Sequence, residues 1–366
     1  MIAKPQTLFI TGATGLVGGD VLERMLRADP TMRAYALVRG AAGECHLRST
    51  LGALAARVVP VRGDLLRRGL GIDYEIRKAL TREVTMVVHA AADTTFSRSL
   101  AESRMVNREG TRQLLSLCRA IGSLRRFSYV STSYVAGRAL GLVLERDNGV
   151  GAGWVNAYER SKYEAEALVR ESSLDWVIFR PSTIVCDAVN GRVSQVNAVH
   201  RALKVYNRGL AAMMPGERND TLDVVPADYV SDAIARVTLD PHASAQTLHL
   251  CAGAGAISIG DLLDVAYDLW ATDPMWKRRG IERAVLADLA TYNLFAEAVR
   301  ETGDHRLASI LQSLSHFIPQ LALPKQFDTR IADALVGHAA PAVSSYWASM
   351  LAHLLASNWG TARKAA

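Results

Sequence analysis

The chain has 366 residues, of which 49% are hydrophobic and 21% charged, enough apolar material for a large core shared between two lobes. A formal charge of +6 and a pI near 9.2 favour anionic partners, yet no Lys/Arg run with interleaved aromatics marks a nucleic-acid binder. Four scattered cysteines and nine histidines show no C-x-x-C or H-E-x-x-H spacing, and no apolar run nears the ~20 residues of a membrane span. Metal chemistry, a disulfide framework and an integral membrane segment are therefore not expected.

Met1 to Thr7 runs directly into the strand-like Leu8-Phe9-Ile10, with no room for a leader, so a reducing, cytoplasmic setting is expected. Thr11-Gly12-Ala13-Thr14-Gly15-Leu16-Val17-Gly18-Gly19 comes next, then a helical pattern through Val21, Leu22, Met25 and Leu26. Strand, glycine-rich turn and helix form a phosphate cradle. Gly12 permits the tight turn, Gly15 lets the backbone approach a pyrophosphate, and Gly18 lets the helix pack closely on the strand. Thr14, Leu16 and Val17 complete this set of candidate cofactor contacts, and the helix start offers unpaired N–H groups to phosphate.

A second strand, Ala34 to Val38, ends in Arg39-Gly40. An acidic residue there would hold a ribose 2′-hydroxyl; an arginine accommodates a 2′-phosphate, so Arg39 favours NADPH. Arg57 to Leu65 reads as a third strand ending in Gly63-Asp64, where Asp64 either meets the adenine amino group or caps the next segment. Leu65 lies beside it. Thr85 to Ala92 is a fourth strand. Its small residues Ala90, Ala91 and Ala92 let the backbone pass close to a cofactor, and His89 reads as a packed strand residue. Asn107 is read as opening a helix that continues through Leu114, Leu115 and Leu117, and as a further cofactor contact.

Phe127 to Val135 is a strand that turns polar at its carboxyl end, where parallel sheets place active sites. Ser131, Thr132 and Ser133 all qualify there as the hydroxyl that shares a substrate oxygen. Tyr158 and Lys162 lie four residues apart, one helical turn, on the same face. An ammonium beside a phenol moves the phenol's pKa down from its usual ~10, and a phenol so tuned exchanges a proton with a carbonyl oxygen as hydride moves. A sixth strand, Trp176 to Phe179, leads into Arg180-Pro181-Ser182-Thr183, a turn expected to close over the nicotinamide through Pro181, Ser182 and Thr183.

Alternating strands and helices to about residue 186 predict an α/β fold, a Rossmann-type doubly wound parallel sheet covered on both faces. Asp223 to Pro226 and Thr247 to Leu250 are expected to return to that sheet. Residues 1–186 with 223–252 would form the cofactor domain, and 187–222 with 253–366 a smaller, mainly helical substrate domain. The stripe Val343, Tyr346, Trp347, Met350, Leu351, Leu354, Leu355 and Trp359 reads as core or a dimer face.

Taken in order, T-G-A-T-G-L-V-G, R-G-D, H-A-A-A-D, V-S-T-S-Y-V and N-A-Y-E-R-S-K resemble the extended short-chain dehydrogenase/reductases. Asn156 to Lys162 with Glu164 and Glu166, Arg180 to Val185 with Asn190-Gly191, and Leu222 to Val230 are similar to one branch of them. That branch contains fatty acyl-CoA reductases and the thioester reductase domains of carboxylic acid reductases and of peptide or polyketide synthetases. The resemblance covers residues 7–252 and thins to fragments such as Phe327-Asp328-Thr329. It implies a catalytic set of Thr132, Tyr158 and Lys162, with Thr132 matched by counting back from Gly137. It also implies that Lys162 holds the nicotinamide ribose, and that Asp228 and Tyr229 are structural.

The activity implied by the resemblance is NADPH-dependent reduction of an acyl thioester, on coenzyme A or a phosphopantetheine carrier protein, either to an aldehyde or through the aldehyde to an alcohol. The chain reads as a free-standing reductase without adenylation or carrier domains, a monomer or homodimer. Two readings compete on the same fold: a sugar-nucleotide epimerase, dehydratase or hydroxysteroid-type dehydrogenase, and a non-enzymatic NADPH-binding protein.

Overall fold

A computed structural model describes residues 6–146, 151–303 and 305–360. Seven parallel strands form the central sheet. In space they run Gln246–Leu250, Trp176–Pro181, Arg126–Val130, Met86–His89, Thr7–Thr11, Arg33–Val38 and Val58–Arg62. Chain order runs outward from Thr7–Thr11, through the second and third strands on one side and the later strands on the other, the doubly wound order. Alternate side chains of one strand enter different cores. Leu8, Ile10, Met86 and Val88 face a core built with helices Leu16–Ala28 and Ala227–Leu239. Phe9, Val87, Phe127 and Tyr129 face the other, with helices Gly110–Cys118 and Ala157–Arg170. Burial on both faces explains why these strands read as continuous apolar runs.

Val224–Pro226 corrects the sequence reading. It does not join the seven-stranded sheet but pairs with Thr183–Cys186 in a separate two-stranded ribbon, with an irregular register at Pro226. A proline has no N–H for a central ladder, which confines it to such an edge. Gln246–Leu250 does join the main sheet, beside Trp176–Pro181.

Beyond the sheet the chain is mainly helical, with helices Ala198–Asn207, Ile259–Ala271, Leu289–Glu301, His305–Leu314, Arg330–Val336 and Trp347–Ala356. Most of the terminal apolar stripe is core: Val343, Tyr346, Trp347, Met350, Leu351, Leu354 and Trp359 are buried in the same cluster as the sheet, whereas Leu355 is exposed. Gly191 (φ +67°) makes this possible, since a Cβ there would collide with the backbone of Ser349 and Met350. Among the described residues no helix is long and apolar enough to cross a membrane, and no group of His, Cys, Asp or Glu is arranged to hold a metal ion.

Candidate active site

The glycine turn ends the first strand under strict steric limits. Gly12 has φ +77°, and a Cβ there would lie 2.6 Å from the amide nitrogen of Ala91 and 2.7 Å from the carbonyl carbon of Ala90. A Cβ on Gly18 would fall on the Gly12 carbonyl. Gly15 precedes helix Leu16–Ala28 without a side-chain cap, and no acidic residue occupies the first turn. Thr14 and Gly15 are exposed there, with Leu16 and Val17 half-buried. Bare N–H groups at an uncapped helix start, reached over a turn without side chains, fit the pyrophosphate of a nicotinamide dinucleotide.

Arg39 stands at the start of helix Gly40–Leu51. Its guanidinium is exposed and makes no hydrogen bond or ion pair among the described residues. Asp64 uses Oδ1 to accept from the Leu66 amide at 2.9 Å, so it orders its own turn. Leu65 is buried, packed on Gly110, where a Cβ would stand 3.1 Å from its own. Ala90, Ala91 and Ala92 are half-buried at the end of the fourth strand, and the Ala91 amide donates to Thr11 Oγ1 at 3.3 Å. His89 is packed, as expected. Its ring nitrogens meet the hydroxyls of Thr11 (2.7 Å) and Thr111 (3.0 Å), and burial, helped by nearby Lys162, takes its pKa down to about 3.

Helix Ala157–Arg170 starts at Asn156, whose side chain accepts from the Glu159 amide at 3.1 Å. One turn apart, Tyr158 and Lys162 are both buried. The Tyr158 hydroxyl is hydrogen-bonded to Thr132, which also accepts from the Tyr134 amide at 3.2 Å. Of the three candidate hydroxyls Thr132 is thus the one at the phenol; Ser131 lies toward Glu166 and Ser133 toward Cys251. The Phe96 ring covers Tyr158, centroids 5.4 Å apart, and also meets Tyr134.

The expected effect of Lys162 on the phenol is corrected here. Burial holds the Tyr158 phenol above its ordinary pKa, its bond with Thr132 opposing and Glu159 reinforcing. Lys162 Nζ instead donates to the Val130 carbonyl at 2.7 Å and sits 4.2 Å from the centre of the Tyr129 ring. Burial brings the amine itself down to about 7, against the pull of Glu166. Tyr158 is consequently a protonated donor at neutral pH, and Lys162 a cation on the edge of losing its charge.

Asn107 also departs from its reading. It lies inside a helical run that starts at Leu100, capped by the reciprocal Ser99–Glu102 pair, and not at a helix start. Its side chain accepts from the Asp93 amide (2.8 Å) and donates to the Asp93 carbonyl (3.0 Å) and Ser161 Oγ (2.9 Å), tying the loop after the fourth strand to the Tyr158 helix. The turn after the sixth strand borders the site: Pro181 ends the strand, the Ser182 amide donates to the Leu250 carbonyl, and Thr183 Oγ1 lies 2.6 Å from the Tyr134 hydroxyl.

Two polar assemblies around the site were not foreseen. Glu166, one turn past Lys162, is fully buried and gripped at both oxygens by Arg180 (3.0 and 2.8 Å), with Arg170 at 2.7 Å. Such pairing holds its carboxyl down to about 2 although burial acts the other way. Glu145 in turn accepts from the amides of His249, Ile331 and Ala332, fastening the start of helix Arg330–Val336 to the sheet. The second assembly joins buried Glu159, beside Tyr158, to Gln320, and Gln320 to Lys325 Nζ at 3.0 Å. Only the Asn156-to-Glu159 spacing, a capping pattern, gave a sequence signal for it.

The helical part also holds an apolar cavity of about 40 Å³, lined by Val199, Leu203, Tyr206, Leu222, Ile259 and Trp347 among others. A second, of about 20 Å³, shares Ala202, Met214, Phe317 and Leu321 with it.

Residues 10–234 match an NAD-binding family described as male sterility protein. The probable fatty acyl-CoA reductase 5 of Arabidopsis thaliana is 23% identical over 361 residues, spanning 76% of this chain and 73% of that protein. The L-2-aminoadipate reductase large subunit of Penicillium chrysogenum is 29% identical over 273 residues, 67% of this chain and 19% of that one. Among solved structures, the terminal R domain of the myxalamid PKS-NRPS pathway superposes with a TM-score of 0.80 at 26% identity, covering 100% of this chain and 94% of that one. The reductase domain of a non-ribosomal peptide synthetase from Mycobacterium tuberculosis shares the fold, with a TM-score of 0.69 at 22% identity over 97% and 92%. With its family match spanning more than half its length, the chain belongs to the male sterility protein family, in the thioester reductase branch of the extended short-chain dehydrogenase/reductases.

Proposed function

We propose that the protein is an NADPH-dependent reductase of acyl thioesters, with Thr132, Tyr158 and Lys162 as its catalytic residues. The observation that carries this reading is the buried, protonated Tyr158 hydroxyl bonded to Thr132 at the carboxyl end of the fifth strand. Relatives named as fatty acyl-CoA reductases, and a similar R-domain structure, support an oxidoreductase acting on thioesters. The unpaired Arg39 supports a 2′-phosphate on the cofactor, with Gly12, Gly15 and Gly18 beneath the pyrophosphate.

When bound, the reduced nicotinamide supplies the hydride. The chain's own part is to hold the carbonyl oxygen between two donors, Tyr158 and Thr132, where negative charge develops, and such donors act most strongly in a dry site. Phe96 packs its ring beside that of Tyr158. Tyr158 then delivers its proton to the oxygen, and the charge left on the phenol is offset by the Lys162 ammonium one turn away. Collapse of the hemithioacetal expels the thiol and leaves an aldehyde, which a second hydride transfer would carry to the alcohol.

NADPH oxidation with a series of acyl-CoAs, and product identification by mass spectrometry, tests the reading. Tyr158→Phe is expected to lower kcat by about 10²–10³, as loss of one oxyanion donor does. NADPH binding should persist, because the ring still packs on Phe96. Near-normal turnover of the variant would refute the catalytic assignment.

A further inference from the structure

A line of buried polar side chains joins the glycine turn to the helix of Tyr158. Thr11 and His89 end the first and fourth strands and face each other across the ladder. The Ala91 amide donates to Thr11 Oγ1 at 3.3 Å, and Thr11 Oγ1 stands 2.7 Å from His89 Nδ1. On the other side of the ring, Nε2 lies 3.0 Å from Thr111 Oγ1. Thr111 donates to the Asn107 carbonyl at 2.6 Å, Asn107 Nδ2 to Ser161 Oγ at 2.9 Å, and Ser161 Oγ to the Tyr158 carbonyl at 2.8 Å. Thr11, His89, Thr111, Asn107 and Ser161 are each at most 1% exposed, so water offers none of them a substitute partner.

The direction of the protons is fixed. Thr111 commits its single hydrogen to the Asn107 carbonyl, so toward His89 it can only accept. The ring therefore carries its proton on Nε2, and its bare Nδ1 accepts from Thr11, whose oxygen accepts from Ala91. Burial keeps the ring neutral, its pKa down at about 3. Every side-chain link then runs one way, from the Ala91 amide toward the Tyr158 carbonyl, an arrangement in which neighbouring bonds strengthen one another. One end lies at the turn, since a Cβ on Gly12 would stand 2.6 Å from the Ala91 nitrogen. The other lies in the first turn of helix Ala157–Arg170, on the backbone of the phenol itself. A slip of that helix along the sheet would leave several buried groups unpaired, which the fold resists.

We propose that His89 is a positioning residue: with Thr11 on one side and Thr111, Asn107 and Ser161 on the other, it fixes the helix bearing Tyr158 and Lys162 relative to the glycine turn. The proposal rests on the thioester-reductase reading and adds a positioning role to it. Thr111→Val keeps the shape and removes the hydroxyl, whereas Thr111→Ser keeps the hydroxyl. In T111V, kcat for acyl thioester reduction should fall about ten- to hundredfold, as a small displacement of a reacting group does. KM for both substrates should stay unchanged, and T111S should restore most of the rate. Ser161→Ala cuts a later link and should cost about as much. The double variant T111V/S161A should lose no more than the worse single variant, because both break one line. Multiplied losses in the double variant, equal losses in T111V and T111S, or an unchanged kcat in T111V would overturn the proposal. If T111V does not fold, S161A decides by the same split between kcat and KM.

The cofactor-free protein gives a readout independent of turnover. Histidine-selective NMR, with His89 assigned by its loss in His89→Gln, should show a neutral ring protonated at Nε2 from about pH 5 to 9. T111V should move the amide resonances of Tyr158 and Ser161, and T111S should leave them in place. A ring protonated at Nδ1, or amides untouched by T111V, would overturn the proposal. An unaltered protein that reduces no acyl thioester would fail the underlying reading instead, and these spectra would still decide the role of His89.

Discussion

Lys162 offers a direct physical test. Burial takes its ammonium from 10.5 to about 7, with Glu166 pulling the other way. At about 1.4 kcal/mol per pH unit that distance corresponds to on the order of 5 kcal/mol for keeping the charge in the fold. The sign comes from proton linkage. Between pH 7 and 10.5 the unfolded chain binds the proton and the folded chain does not, so stability rises with pH through that window. Below pH 7 both states are protonated and the folded state carries the full penalty. The chain has seven lysines, few enough for lysine Cε resonances to be followed by NMR in the cofactor-free protein. Two should titrate early, Lys162 near 7 and Lys325 near 8, the second lowered by burial against the pull of Glu159. Lys162→Met should erase the first and flatten part of the rise in urea stability from pH 7 to 10. A Lys162 midpoint above 9.5, or an unchanged pH dependence of stability in the variant, would refute the reasoning.

Other outcomes are expected from the same geometry. Gly18→Ala places a methyl on the Gly12 carbonyl and should cost about 1–3 kcal/mol of stability, with loss of NADPH binding by fluorescence titration; unchanged affinity would mean the turn is not the cradle. Arg39→Ser should raise the KM for NADPH by about tenfold or more and leave that for NADH unchanged, because only the 2′-phosphate loses its partner. Arg180→Met strips buried Glu166 of its two-pronged partner and leaves Arg170 as its one ion pair, and urea unfolding should show a loss of about 3–5 kcal/mol.

The sheet was legible because its physics is local. Each strand from Thr7–Thr11 to Trp176–Pro181 is largely apolar and is followed by a helix-periodic segment, so pattern alone gives order and direction. Gly12 and Gly18 were legible for a similar reason: only glycine tolerates the contacts found there. Asn107 was misplaced because the true helix start, the Ser99–Glu102 capping box, stands eight residues earlier and the π-helical turn Met105–Glu109 hides the phase. Val224–Pro226 looked like a sheet strand because three apolar residues carry no mark of which partner they will find. The phenol's pKa was misjudged because spacing reveals a neighbour's charge but not its direction. Lys162 points at the Val130 carbonyl, and burial decides the titration.

What sequence could not reveal is how the late helices are tied to the site. Those ties are single polar side chains with partners far away in the chain: Glu145 on the amides of Ile331 and Ala332, Asp223 on those of Ala252 and Gly253, and Glu159 reached from Lys325 through Gln320. A buried carboxylate left without such partners would cost several kcal/mol, so each fixes one relative position of two segments and disfavours others. Glu159 neighbours Tyr158, and Gln320 shares its short helix, Ile318–Leu321, with cavity-lining Ile318 and Leu321. The wall of the apolar cavity and the helix bearing the phenol are therefore held by one hydrogen-bonded chain. A substitution at Gln320 that spares both should still disturb the placement of Tyr158, because the Glu159 carboxylate would lose its link to Lys325.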